Sequence, residues 1–174
     1  MKAKELTLNA ILIALTIIIL FLNNIMPIST LTFLTISSLL VPIAIIRGSL
    51  KGAFLVYIGS SILGFLLLPK DIVLFYFIFF GIYGIIKHYI EKLNKFYLEV
   101  ILKLIFFNII LLISYFFLNE FININENNLP LYALFILGQA AFLIYDYALT
   151  VLISWYLSQI HKRIWESSQL KAHN

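Results

Sequence analysis

Asp146 is the residue most in need of a chemical role. It is the only acid well inside any of the long apolar runs, near the middle of the stretch Leu131 to Ser158. A carboxylate at the centre of a bilayer costs about 2.5–3.5 kcal/mol on insertion scales, so it must face protein, water or a ligand rather than lipid. Gln139 stands seven residues before it and Thr150 four after it, which places all three on one helical face. No basic residue is expected at comparable depth. The partner of Asp146 is therefore left open between a tyrosine, Asn108, a ligand and its own proton.

Other runs carry polar stripes at the same periodicity. Asn9, Thr16 and Asn23 recur every seven residues, Tyr76 and Tyr83 are seven apart, and Asn108, Tyr115 and Asn119 follow at seven and four. Lipid offers no hydrogen-bond partner, so these stripes are expected to face inward. Convergence of Asn23, Tyr76, Tyr83, Asn108, Gln139 and Asp146 would give an aromatic-walled site with few polar anchors, the usual make-up of a small-molecule pocket. The plainer alternative is interhelical hydrogen bonding, at about 0.6–2 kcal/mol per contact. A further stripe of small residues, Ala3, Thr7, Ala10 and Ala14, lies on another side of the first run. Small stripes admit a second helix at close range, within the bundle or from a partner.

The elements that position these residues follow from composition. Of 174 residues, 63% are hydrophobic and 11% charged, against about 25% charged in a soluble domain. The chain reads as an all-α polytopic membrane protein, a single domain over residues 1–174, with room for six crossings of about 20 residues. The expected spans are about 6–22, 31–46, 53–68, 72–86, 98–118 and 131–158. Pro42 is expected to bend the second, Gly48–Gly52 to form a tight turn, and Asp71 to cap the fourth. Pro130 opens the sixth, after an Asn-rich loop at Asn119–Asn128. The first run is too long for a typical signal-peptide core and is expected to be retained.

Alternating the spans across a membrane puts Lys2, Lys4, Arg47, Lys51, Lys87, Lys92, Lys95, Lys103, Lys162, Arg163 and Lys171 on one side and Lys70 alone on the other. That asymmetry predicts both termini in the cytoplasm. The net charge of +4 is thus a topology signal and does not point to nucleic acid. The absence of cysteine excludes disulfides and thiolate chemistry. No enzyme constellation is visible. His88, His161 and His173 lie in linkers or the tail without metal spacing, and there is no Walker-type loop, no GxSxG and no paired carboxylates. No catalytic residue, metal or cofactor is expected.

Six spans, cytoplasmic termini and Ala10-x-x-x-Ala14 in the first helix resemble the substrate-binding S-components of energy-coupling-factor (ECF) transporters. The resemblance implies a prokaryotic cell-membrane protein that captures a vitamin or similar micronutrient for ATP-driven uptake. It implies a docking face at Thr7, Ala10 and Ala14 for a transmembrane coupling protein, which works with an ATPase pair. It selects no particular substrate. A second resemblance competes with it. Ile46-Arg-Gly-Ser-Leu-Lys-Gly-Ala-Phe is similar to the arginine–glycine turn of rod-shape-determining membrane protein D, which implies a scaffold for cell-wall machinery with no ligand.

Overall fold

The computed structural model describes residues 3–26, 30–118 and 131–172, with side chains described for 3–26, 30–114 and 135–160. The Asn119–Asn128 loop, Pro130 and His173 lie outside the described residues, as do the side chains of Tyr115 and His161. Within them the chain is helical: α1 (Ala3–Ile25), α2 (Thr30–Arg47), α3 (Leu50–Leu67), α4 (Lys70–Phe75), a π-helical turn (Tyr76–Phe80), α5 (Gly81–Glu91), α6 (Phe96–Leu118) and α7 (Leu131–Ala172). Because α4, the π turn and α5 run on as one rod, six helices are long and apolar enough to cross a membrane. The protein is a multi-pass helical membrane protein.

The spans are longer than their apolar cores suggest. The fourth continues to Glu91 instead of stopping at Ile86, and α7 continues to Ala172 instead of Ser158. Helix hydrogen bonding does not end where hydropathy falls. It ends where the backbone can be capped, as at Asn94, whose φ of 51° turns the chain between α5 and α6. The expected cap at Asp71 is not formed: α4 starts after Pro69 with no side-chain cap bond, and Asp71 sits exposed inside its first turn. The Gly48–Gly52 turn does form. Ser49 caps α3, its hydroxyl accepting from the Gly52 N–H at 3.2 Å.

The centre of the bundle is α2, which touches α1, α3, the π turn, α5 and α7. Its buried face includes Ser37 and Ser38, and facing α3 contributes Ser60 and Ser61. Each of these hydroxyls donates to a carbonyl three or four residues back on its own helix, so an interior with little water leaves them satisfied. Small side chains set the helix spacing. A Cβ on Gly84 would lie 2.7 Å from Pro42 Cδ, so α5 rests directly on the proline ring inside α2. A Cβ on Gly52 would lie 2.8 Å from Asn9 Nδ2, which lets α3 close onto α1.

The two stripes of α1 separate as their spacing requires. Asn9, Thr16 and Asn23 are buried, while Ala3, Thr7, Ala10 and Ala14 are exposed. The small residues are thus not part of the bundle core. Around the perimeter, large apolar side chains such as Ile18, Leu66 and Ile144 point outward, as a surface solvated by lipid demands.

Candidate functional site

Asp146 has the basic partners that the sequence did not suggest. On α5, Tyr83, Lys87 and Glu91 recur at intervals of four and form one face. On α7, Asp146 and Thr150 are also four apart, and α6 adds Lys103. Lys87 Nζ donates to Asp146 Oδ1 and to Thr150 Oγ1 at 2.8 Å, and pairs with Glu91 at 2.7 Å. Lys103 Nζ donates to Glu91 Oε1 at 2.9 Å and to Asp146 Oδ2 at 3.0 Å. Tyr83 donates its hydroxyl proton to Asp146 Oδ1 at 2.6 Å. Two ammonium groups and two carboxylates therefore cancel within one knot tying α5, α6 and α7.

This corrects the expectation that no base lies as deep as Asp146, and with it the placing of Lys87 and Lys103 among the flanking cations. Lys87 is only 1% exposed. Both lysines are buried and tied into the knot, so nine basic residues rather than eleven are left to flank the spans on that side, against Lys70 on the other. The physical reason is mutual: a carboxylate held in a bilayer draws long cationic side chains inward from the helix ends. The signal that could have found Lys87 is the Tyr83–Lys87–Glu91 interval. For Lys103, nothing in its own helix marks the partner.

The other candidates do not join Asp146 and Tyr83 in one place. Gln139 Nε2 donates to Asn108 Oδ1 at 2.8 Å, and Asn108 Nδ2 donates back to Leu104 O at 2.8 Å, so these two form a separate bridge between α6 and α7. The hydroxyl of Tyr76 is bonded to Ser60 at 3.0 Å, between the π turn and α3. Asn23 is buried on α1 with Oδ1 unpartnered, and Asn9 is buried with neither amide atom partnered. Most of the stripe residues thus found a neighbouring helix, the local solution that a medium without water favours.

Two hollows lie beside these groups. A cleft of 220 Å³ opens between α2, α5 and α7 against Lys87, His88 and Glu91. A cavity of 1070 Å³ lies between α2, α4 with the π turn, α6 and α7. None of the six expected binding residues lines the larger one. Its wall is made by residues to which the polar pattern was blind: Phe75, Phe79, Phe80, Phe107, Phe142 and Tyr145. Phe107 and Phe142 stack at 4.5 Å with their planes 6° apart, and Phe79 meets Phe142, Tyr83 and Tyr145 at 6.0, 5.7 and 5.4 Å. The back of this aromatic cluster, Tyr83, is the side that bonds Asp146. Charge knot and cavity are therefore two faces of the same three-helix junction.

Comparison with family models, with curated proteins and with solved structures returns no match. Fold and site together define the class: a six-span helical membrane protein with an internally neutralised charge knot and an aromatic cavity.

Proposed function

We propose that this chain is the membrane-embedded substrate-binding subunit of an ECF-type importer, capturing a vitamin or similar micronutrient for ATP-driven uptake. The observation that carries this reading is the 1070 Å³ aromatic cavity, just above the ~300–1000 Å³ that small-molecule sites occupy. The scaffold reading assigns no role to such a space. The exposed stripe Thr7, Ala10 and Ala14 adds support, because it leaves a close-packing surface free for the coupling protein. The side flanked by nine basic residues faces the cytoplasm, where the ATPase pair works.

The test is co-purification. Affinity-tagged protein extracted in mild detergent from its native membrane should bring down a transmembrane coupling protein and two ATPases. Ala10→Trp and Ala14→Trp should leave the subunit folded, since both positions face outward, and should lose those partners. Recovery of cell-wall synthesis proteins in their place, unaffected by either tryptophan, would assign the chain to the scaffold class and end the transporter reading.

A further inference from the structure

The chemistry of the cavity wall narrows what it can hold. Among the described residues no charged side chain lines it, and the knot's charges are cancelled among themselves behind Tyr83. A charged ligand would lose its hydration there and gain no counter-ion. Neutral polar anchors are almost as scarce. Thr35 already donates to Leu31 O at 2.7 Å, and Tyr145 donates to Ser38 Oγ at 3.0 Å. The hydroxyls of Thr32 and Tyr147 stand at the exposed rim.

What the wall offers is flat aromatic surface and room. Phe79 sits midway along its span and is partly open to the cavity, backed by Phe107 and Phe142, which are 8 and 2% exposed and stacked on each other; an aromatic wall of this kind is one against which another ring packs well. Gly138, Ala141 and Ala148 lie on one side of α7 and withhold the side chains that would fill the gap. The mouth has its own character. Leu31, Ile144 and Tyr147 both line the cavity and belong to the outward apolar perimeter, at 65, 70 and 72% exposure. The opening therefore gives onto the hydrocarbon of the bilayer and not onto water.

We infer that this cavity takes an uncharged, predominantly apolar, ring-bearing small molecule that enters sideways from the bilayer between α2 and α7. As the substrate of an importer this rests on the transporter reading; as a binding site it stands on the cavity alone.

The experiment uses the full chain in vesicles of dioleoyl phosphatidylcholine with 3-trifluoromethyl-3-phenyldiazirine, a neutral ring-bearing photolabel, and maps the labelled residues by peptide mass spectrometry. Labelling at Phe79 and Leu111, the partly open side chains of the wall, should saturate with label and exceed by several-fold that at Ile18 and Leu66, which face lipid. Naphthalene should compete it away, and benzyltrimethylammonium, a ring with a fixed charge, should not. Ala141→Trp should abolish the cavity labelling while leaving Ile18 and Leu66 unchanged, and Ala148→Leu serves the same purpose should the tryptophan variant fail to fold. Labelling that follows lipid exposure, never saturates and ignores both variants would mean that the cavity holds ordinary acyl chains, and overturns the proposal. Competition by the quaternary ammonium would overturn the ligand class. No coupling protein or ATPase is present, so either failure is distinct from a failure to co-purify partners.

Discussion

Lys87 has three ammonium protons and directs them at Asp146, Glu91 and Thr150. At 1% exposure it cannot turn to water, so its charge is tolerated only because those oxygens are in place. Removing one member of a buried charge set is worse than never having had the set, because the rest stay behind uncompensated. Lys87→Met should therefore destabilise the protein by about 3 kcal/mol, the low end of the range for breaking a buried pair, since Glu91 is partly exposed. Adding Glu91→Gln restores neutrality with one lysine on one aspartate. The double variant should be more stable than the two separate losses imply, by on the order of 1–2 kcal/mol of coupling. Thermal unfolding in detergent, followed by helical circular dichroism, measures all four corners of the cycle, and strict additivity would refute a shared knot.

At the scale of elements, the closeness of α5 to α2 is what holds Lys87 and Tyr83 in line with α7. That closeness depends on Gly84, whose missing side chain admits the ring of Pro42. Proline is rigid, so an added methyl group cannot be accommodated by a rotamer change. Gly84→Ala should cost about 1–3 kcal/mol through overpacking, although alanine is the better helix former. An unchanged or higher melting temperature would show that the helices can part without loss. Much of this level was legible in the chain. Runs of apolar residues gave the six spans, and the seven-residue stripes on α1 gave its inward and outward faces, because both depend only on helical period. The pairing of helices was not legible. Asn108 with Gln139, Tyr76 with Ser60, and Lys103 with Asp146 each join residues on different spans, and a single sequence does not say which helices are neighbours. The cavity was missed for a related reason: its wall is phenylalanine, and phenylalanine in a membrane span is indistinguishable by type from a lipid-facing residue.

Alternating the six spans across a membrane assigns nine of the cations outside the knot to one side and Lys70 to the other. The loop between the fifth and sixth spans should accordingly lie outside the cell and the tail inside. The chain has no cysteine, so a single introduced thiol reports without background. Asn125→Cys should react with a membrane-impermeant maleimide in intact cells, and Ser168→Cys only after permeabilisation. The reverse pattern would invert the molecule and put the exposed alanine stripe out of reach of any cytoplasmic ATPase assembly.

The cancellation of charge around Asp146 also decides how the protein responds to the voltage of an energised membrane. One elementary charge carried through 100 mV gains or loses about 2.3 kcal/mol. Lys87, Lys103, Glu91 and Asp146 sum to zero and are bonded to one another, so α5, α6 and α7 can shift together without electrical work. Only a motion that pulled cation from anion along the membrane normal would couple to the field. The capture of a neutral ligand proposed above, next to such a knot, would therefore be electrically silent, and binding measured in vesicles with and without an imposed potential should agree.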